Sequence, residues 1–432
     1  MGTNARMPAD ARMGIGTHMT PRPIQALIYF ASVLLLVIFS TVSLPAQGQV
    51  ASSRTKIADT DAAVHALCGQ HVALLGESSI HGFGNTLEFK AQLVRRLVDE
   101  CHYNALFVES GLYDYIHIER ELNSGQDVPE SMISAAIGGL WANGEVQALV
   151  PFLTEKVKAG RLTLGGLDDQ LGAGTYASRE MSSDLVQYLQ NDERTRCLAV
   201  LERHMHWQYT ENAPYSPSDK EEIVGCLNEI QTQLSSTKEK TKSIEESRAM
   251  VDSLQRNFAR NFTEDDFTKK GQELKWINDR DRSMYLNYRW LFGRLPPHSK
   301  VIVWAATVHT AKDLSSAEGC QGMVPLGSYI KKDRKGQAFS LGFSVYSGEY
   351  AFTHQPIRRL SDAPPSSLEA QIFAHSNSDT EYLSGKQLRK YNRVAARLMG
   401  TNFKTAGWDQ VVDGLVIFRV ERAPAWIKRP NP

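Results

Sequence analysis

The stretch VALLGESSIHG at residues 72–82 decides the fold. Its first part is entirely apolar, and its second part holds Glu77 and His81 between two glycines, Gly76 and Gly82. A short run without any polar residue is typical of a strand buried on both faces of a parallel sheet. The glycines allow the chain to turn tightly after the strand. The sequence therefore places a carboxylate and an imidazole at the carboxyl end of a buried strand.

The same pattern, in which a short apolar run ends in polar or ionisable residues, recurs along the chain. It is found at residues 105–111, 162–169, 301–309 and 339–348, and a final strand is predicted at 414–420. Apolar residues at helical spacing occupy residues 87–101, 145–158 and 281–292. This alternation predicts an α/β fold with right-handed crossovers. We expect a mainly parallel central sheet that is flanked by helices.

The remaining segments set the domain organisation. Residues 181–275 are charged and largely helical in pattern, which predicts a helical insertion lobe, or lid. This lobe would separate an N-terminal part of the α/β catalytic domain at residues 55–180 from a C-terminal part at residues 276–425. Within the C-terminal part, a basic stretch near residues 386–398 has a helix-like pattern.

The N-terminus has the order of a secretory signal peptide over residues 1–48. A polar segment with arginines precedes a nearly continuous apolar run at 24–44, and small residues follow at 45–48. The alternative is an N-terminal membrane anchor, because the run approaches the ~20 residues that span a bilayer. A cleaved signal predicts a periplasmic or secreted protein without a stable membrane partner.

Cysteine usage agrees with export, because disulfides persist in oxidising compartments. The chain has five cysteines, so at least one is unpaired within it. We predict the pairs Cys68–Cys101 and Cys197–Cys226, which leave Cys320 free. No C-x-x-C motif is present, so a zinc ribbon or a thioredoxin-type redox site is disfavoured.

Charge and motif content exclude several classes of function. Basic and acidic side chains balance at a formal net charge of zero over 432 residues. Nothing in this balance indicates nucleic acid or an anionic membrane surface as a partner. The chain lacks G-x-S-x-G, which disfavours a serine hydrolase with a nucleophile elbow. It also lacks H-E-x-x-H and a P-loop.

Ionisable residues at the predicted strand ends are the candidates for catalysis. Ligands of parallel α/β sheets bind beyond the carboxyl ends of the strands, where residues distant in sequence converge. Glu77, His81, Glu109, Asp168 and His309 all occupy such positions. A carboxylate beside a histidine can orient the ring and stabilise its protonated form, as a general base requires. The structural alternatives are a turn histidine, a buried carboxylate in an ion pair, and a structural lone histidine.

A further candidate is the segment Arg280-Asp281-Arg282, which is predicted to open a helix. From there an arginine could present its planar fork to a carbonyl or carboxylate oxygen. The alternative is a solvated, charged first turn.

Taken together, these motifs resemble the erythromycin esterase family. The family opening is similar to Gly-Glu-Ser-Ser-Ile-His-Gly at 76–82, followed by a helix and Phe-Val-Glu-Ser-Gly at 107–111. Weaker matches keep the family order at residues 141–147, 166–170, 280–287, 301–309, 326–329 and 413–414. The resemblance covers nearly all of the predicted mature chain and implies an α/β hydrolase that cleaves an ester with water.

The resemblance also implies roles for individual residues. His81 would be the essential base, Glu77 its partner carboxylate, Glu109 the strand-end glutamate and His309 the second essential histidine. The residues expected to bind substrate are Lys90, Glu145, Asp168 and Arg280. The implied substrate is a small-molecule carboxylic ester, either a macrolide lactone or a related ester, with a role in the response to antibiotics.

This sequence departs from the family pattern at three places. Ile80 is inserted ahead of His81, so Glu77 and His81 are one residue further apart than usual. Ala306 and Thr307 replace the usual His-Asn pair ahead of the second histidine. A lysine, Lys90, falls where macrolide-cleaving members carry a functional arginine. These differences argue against assigning macrolide specificity from the resemblance alone.

Two other functions are compatible with the same residues. In the first, Glu77, His81, Glu109 and His309 would bind a divalent metal, since these residue types suit Zn²⁺ or Mn²⁺. The main hypothesis needs no cofactor. In the second, the chain is a non-catalytic periplasmic ligand-binding protein, which the Ala306-Thr307 departure favours.

Overall fold

The apolar runs of the sequence form neighbouring strands of one sheet in the computed structural model, which describes residues 60–260, 272–353 and 355–427. The predicted signal peptide at 1–48 lies outside the described residues. The strands are β1 Val72–Leu75, β2 Ala105–Gly111, β3 Thr163–Asp168, β4 Val301–Trp304, β5 Ala338–Tyr350, β6 Arg358–Arg359, β7 Thr380–Ser384, β8 Arg393–Ala396, β9 Lys404–Gly407 and β10 Gly414–Glu421.

The order of the strands brings the predicted site residues to one edge. The sheet runs β3-β2-β4-β1-β5-β10-β7, and the first six of these strands pair in parallel. The strand β7 pairs antiparallel with β10, and β6 pairs antiparallel with the end of β5. Strands β8 and β9 form a separate antiparallel pair. The fold is thus α/β with a mainly parallel central sheet, as predicted.

Helices connect and cover these strands. They are α1 Thr60–Cys68, α2 Gly84–Cys101, α3 Leu112–Asn123, α4 Glu130–Ile137, α5 Gly144–Gln147, α6 Val150–Lys158, α7 Tyr176–Arg179, α8 Met181–Val186, α9 Asn191–Met205, α10 Pro217–Ser236, α11 Lys242–Ala259, α12 Gln272–Gly293, α13 Thr307–Thr310, α14 Leu326–Asp333, α15 Leu368–Phe373, α16 Gly385–Leu388 and α17 Trp408–Val411. Short 3₁₀ turns occur at Gly139–Trp141 and Arg389–Tyr391.

The predicted insertion at 181–275 contains the helices α8 to α11 where the structure describes it. These helices share a hydrophobic cluster with the sheet, because Ile223 and Leu254 belong to the same buried set as Phe107 and Val303. Burial of such apolar side chains stabilises the fold by about 25 cal/mol for each Å² removed from water. The helical segment is therefore packed onto the sheet through a continuous apolar core.

Two predicted helices differ from the structure. The expected helix at 145–158 is divided into α5 and α6, with Pro151 in the first turn of α6, where its missing N–H costs nothing. The basic stretch at 386–398 forms only the short helix α16 and a 3₁₀ turn before β8 begins. Asn392 follows the 3₁₀ turn with a positive φ of 49°, which asparagine adopts more readily than most residues.

The cysteine pairing follows the prediction. Disulfides join Cys68 to Cys101 and Cys197 to Cys226, and Cys320 is free and buried. The first disulfide links α1 to the end of α2, and the second links α9 to α10. Over the residues that the structure describes, no helix is long and apolar enough to cross a membrane.

A glycine on β3 makes room for an irregularity in β2. The register between the two strands shifts between Val108 and Gly111, so that Glu109 lies within the irregular segment. Such irregularities often redirect a side chain beside an active site. A Cβ atom on Gly166 would lie 2.3 Å from the carbonyl oxygen of Gly111. Gly166 therefore permits the backbone course that carries Glu109.

We predict that Gly166→Ala destabilises the protein by about 1–3 kcal/mol or more, because backbone has to move to admit the methyl group. The matched control is Gly69→Ala, since a Cβ on Gly69 meets no atom within 4 Å. Urea denaturation followed by circular dichroism measures both. Equal denaturation midpoints for the two variants would show that the close approach of β3 to β2 is unimportant.

Candidate active site

The turn after β1 brings His81 back to Glu77. The backbone N–H of His81 donates to the carbonyl of Ser78 at 2.9 Å, and His81 has a φ of 50°. A non-glycine residue in this left-handed region is uncommon and often marks a functional turn. The turn brings His81 Nδ1 to 2.8 Å from Glu77 Oε1. The extra residue Ile80 is thus accommodated within the turn, and the Glu-His contact is kept.

Glu77 is a buried carboxylate with three partners. Its Oε1 accepts hydrogen bonds from His81 and from the indole Nε1 of Trp141 at 2.7 Å, and its Oε2 lies 3.1 Å from Lys90 Nζ. Burial by itself raises the pKa of this carboxyl group. The charge of Lys90 and the hydrogen bond from His81 lower the pKa by more than burial raises it, so the net direction is downward. Glu77 is therefore an anion at neutral pH.

Lys90 supplies the positive charge that compensates this anion. It projects from α2, has no exposed surface, and its Nζ lies 4.4 Å from the centre of the Trp304 ring. Burial lowers the pKa of Lys90 to about 8, and Glu77 opposes that shift. Lys90, which the resemblance predicts to bind substrate, contacts Glu77 in the structure.

A second group forms at the ends of β2, β3 and β4. One guanidinium nitrogen of Arg280, Nη2, bonds Glu109 Oε1 at 2.9 Å and Asp168 Oδ2 at 2.5 Å. Its other terminal nitrogen lies 3.0 Å from His309 Nε2. Arg280 was expected to open a helix, but it lies within α12, whose preceding turns begin at Gln272. The structure therefore brings Glu109, Asp168, Arg280 and His309 into direct contact.

His309 is held between two carboxylates. Its Nδ1 is 2.9 Å from Asp281 Oδ1, and its Nε2 is 3.2 Å from Glu109 Oε1. Burial lowers the pKa of His309, but the charges of Asp281 and Glu109 raise it to about 10. An imidazolium donates from both nitrogens, so Nε2 donates to Glu109, and Arg280 is a neighbouring cation that cannot also donate to it. Burial would raise the pKa of Glu109, yet His309 and Arg280 hold it well below its usual range.

The segment after β4 joins the two groups. The backbone N–H of Ala306 donates to Glu109 Oε2 at 2.8 Å, and the N–H of Thr307 donates to the carbonyl of Glu77 at 2.6 Å. Gly76 allows this approach, because a Cβ there would lie 2.6 Å from Thr307 Oγ1. Ala306 and Thr307 therefore contribute main-chain atoms at the positions where the family pattern has other side chains.

Glu145 lies apart from both groups. Its carboxylate pairs with the guanidinium of Arg422 and accepts the backbone N–H of Ala425 at 3.1 Å. Trp141 and Asp281 were not predicted as site residues. In the structure Trp141 contacts Glu77, and Asp281 contacts His309. Both stood inside segments quoted for the family resemblance, but only the fold shows which carboxylate or imidazole they contact.

The side-chain oxygen and nitrogen atoms of the four predicted metal ligands do not form a compact ligand set for one ion. Within the described ranges, the one group of three or more His, Cys, Asp or Glu donors lying within 4.8 Å of one another is Cys197, Cys226 and Glu229. Two of these residues form a disulfide. Glu77, His81, Glu109 and His309 are divided between the two groups, so a single ion does not fit the four side chains as they are arranged.

Comparison with known proteins shows the family of this chain. The family model described as Erythromycin esterase matches residues 98–413. The chain belongs to the erythromycin esterase family. The match contains Glu109, Asp168, Arg280 and His309, whereas Glu77, His81 and Lys90 precede it.

The relatives and solved structures that this chain resembles are distant in sequence. The Bacillus subtilis (strain 168) protein named "Putative hydrolase YbfO" is 22% identical over 385 residues, which is 85% of each chain. A crystal structure of a Bacillus cereus protein has a TM-score of 0.64 at 16% identity, covering 86% of this chain and 93% of that one. A mutant of the erythromycin esterase EreC in its open conformation has a TM-score of 0.62 at 14% identity, covering 84% and 94%. The family and these relatives together support a hydrolase.

We predict that Lys90→Met destabilises this family member by roughly 3–5 kcal/mol, because it leaves the Glu77 carboxylate buried without a cation. Lys158→Met is the matched control, since Lys158 pairs with Asp127 in an exposed ion pair. Urea denaturation at pH 7 compares the two. A Lys90→Met midpoint as high as that of Lys158→Met would contradict the ion pair.

Glu421 caps the start of α2, the helix that carries Lys90. Helix α2 has no side-chain cap of its own, and Glu421 accepts from the backbone N–H groups of Asn85 and Thr86 and from the Thr86 hydroxyl. Burial raises the pKa of Glu421 to about 7. Because this pKa is higher in the folded state, the stability linked to the protonated form is present below about pH 4.5 and is lost as pH rises through 7.

We therefore expect Glu421→Gln, which cannot ionise and still offers an acceptor oxygen, to gain stability relative to the parent between pH 5 and pH 8. Urea midpoints at several pH values within that window measure the difference. Parallel curves for the two proteins would argue against ionisation of Glu421 within the folded state.

Proposed function

We propose that this protein hydrolyses a carboxylic ester with a water molecule activated by His81. The observation that carries the proposal is the hydrogen bond between His81 Nδ1 and Glu77 Oε1. An anionic carboxylate accepts a hydrogen bond from the Nδ1–H group, and this tautomer leaves the lone pair of the neutral ring on Nε2. Over the described residues, Nε2 of His81 takes part in no hydrogen bond, so its lone pair is not used by another protein group.

In the proposed reaction, His81 Nε2 removes a proton from water as the water oxygen bonds the ester carbonyl carbon. The imidazolium that forms is stabilised by Glu77 at the opposite nitrogen. The tetrahedral intermediate then expels the alkoxide, which takes the proton back from His81 Nε2. The products are a carboxylic acid and an alcohol, and His81 returns to its starting state.

The second group would stabilise the negative charge that develops on the carbonyl oxygen. Arg280 projects from α12 and His309 follows β4, and both are positively charged and contact the buried Glu109 carboxylate. Preorganised positive groups of this kind favour a transition state with an oxyanion. Glu109 contacts His309 and Arg280, so we assign the orientation of His81 to Glu77.

The proposed substrate is a small-molecule ester, either a macrolide lactone or a related ester, with a role in the response to antibiotics. Reaction by this scheme needs no metal or organic cofactor. The two disulfides support an exported enzyme, in the periplasm or outside the cell, after removal of the segment at 1–48.

We predict that the purified protein hydrolyses a member of a panel of aryl esters and macrolide lactones, and that His81→Ala lowers kcat by ~10²–10⁴-fold. His375→Ala is the control, because His375 is exposed, in the segment between α15 and β7. Release of the acid and alcohol is followed by absorbance and mass spectrometry. Unchanged turnover by His81→Ala would rule this mechanism out.

A non-catalytic periplasmic binding protein is the second candidate, and the side chains at Ala306 and Thr307 favour it. Neither offers the imidazole or amide that the family pattern carries there. A ligand that copurifies with the protein, combined with no hydrolysis across the ester panel, would support binding without turnover.

A further inference from the structure

Trp141 has no role in the mechanism above, although its indole touches the carboxylate on which that mechanism depends. Its Nε1 is 2.7 Å from Glu77 Oε1, and the side chain is almost completely buried. We infer that Trp141 is a positioning residue, whose indole N–H fixes the Glu77 carboxylate in the orientation that holds the His81 ring. This inference rests on the proposed function, because it concerns how the Glu77-His81 pair is kept ready for proton transfer.

The two oxygens of Glu77 have different partners. Oε1 accepts from both Trp141 and His81, whereas Oε2 faces Lys90. A carboxylate with directional donors on one oxygen and a cation on the other has little freedom to rotate about its terminal bond. The N–H of Trp141 thus selects the oxygen that His81 uses.

Trp141 also restricts the imidazole directly. The rings of Trp141 and His81 lie 5.0 Å apart between centroids and meet edge to face at 74°. On its other sides the indole lines a small apolar space together with Val108, Ile137 and Trp304. The indole therefore has a polar contact at Nε1 and apolar packing elsewhere, which is the usual arrangement of a buried tryptophan.

The backbone around Trp141 is anchored by the segment that follows β10. Gly144 donates its N–H to the carbonyl of Ala425 at 2.8 Å, and the Glu145 carboxylate pairs with Arg422. The N–H of Ile427 donates to the carbonyl of Ala142 at 3.0 Å. This explains the placement of Glu145 away from the catalytic groups, because it secures the segment that presents the indole.

Loss of the indole N–H leaves Glu77 with His81 and Lys90 alone. The hydrogen bond from Trp141 favours the charged form of Glu77, so its removal raises the pKa of that carboxyl group. A protonated or rotated Glu77 would no longer stabilise the His81 imidazolium. The effect should appear in kcat and in the pH dependence of kcat, and KM should change little.

The experiment compares Trp141→Phe with Trp408→Phe in the intact protein. Trp408 is also almost completely buried and donates its indole N–H to the carbonyl of Val394 at 2.8 Å, so its hydrogen bond does not involve Glu77. For the ester hydrolysed by the parent, Trp141→Phe should lower kcat by about 10- to 100-fold, since a hydrogen bond to a charged group is lost. The acidic limb of the pH profile of kcat should move to higher pH in Trp141→Phe. Trp408→Phe should lose comparable stability while keeping the parent kcat and pH profile.

A spectroscopic measurement tests the contact without hydrolysis. The indole N–H resonance of Trp141, in protein labelled with ¹⁵N-tryptophan, is identified by its disappearance in Trp141→Phe. In Glu77→Gln this resonance should move upfield, because its acceptor is no longer charged. The Trp408 resonance should stay in place.

The outcomes separate the two proposals. A Trp141 resonance that is indifferent to Glu77→Gln, or a Trp141→Phe variant with the parent kcat and pH profile, overturns the positioning role. Hydrolysis that survives His81→Ala overturns the proposed function, while the spectroscopic result still decides whether Trp141 bonds Glu77. Equal kinetic losses in Trp141→Phe and Trp408→Phe would likewise overturn the positioning role.

Discussion

The constraint on which the site depends is the burial of one carboxylate, that of Glu77. An ionised group removed from water requires compensating charge and hydrogen bonds. Glu77 obtains them from three separate parts of the chain: a tight turn supplies His81, α2 supplies Lys90, and a 3₁₀ turn supplies Trp141. The positions of the tight turn, of α2 and of the 3₁₀ turn are constrained, because all three donors must reach the same carboxylate.

The order of strands extends this constraint across the sheet. Strand β4 lies between β1 and β2, so the segment that follows β4 can donate one backbone N–H to each side. On the β2 side it meets Glu109, which lies in an irregular stretch next to Gly166. Consequently Glu77, which contacts His81, and Glu109, which contacts Arg280 and His309, are tied to one segment by backbone N–H groups. A change in the side chains at Ala306 and Thr307 leaves those contacts intact.

Much of this arrangement could be predicted from the sequence, because it follows from local pattern. Buried apolar runs ending in Glu77, Glu109, Asp168 and His309 predicted the parallel sheet and the edge at which these residues lie. The family resemblance is confirmed by the match over residues 98–413. The predicted cysteine pairs are also found in the structure.

The remaining features depend on contacts between residues far apart in the chain. No local sequence pattern predicts that Glu145 pairs with Arg422, or that the buried Lys90 contacts Glu77. The contact of Asp281 could not be predicted for the same reason. A charged residue within a helix is expected to be exposed to solvent unless the neighbouring strand end is known. Only the structure shows that its carboxylate holds His309.

The most direct test of the central claim is a double-mutant cycle between Glu77 and His81, measured as kcat for ester hydrolysis. Glu77→Gln, His81→Asn and the double variant are compared at one pH. If Glu77 acts through His81, the double variant should be no slower than His81→Asn alone. Losses that multiply in the double variant would contradict the account, because they would mean that the two residues contribute independently.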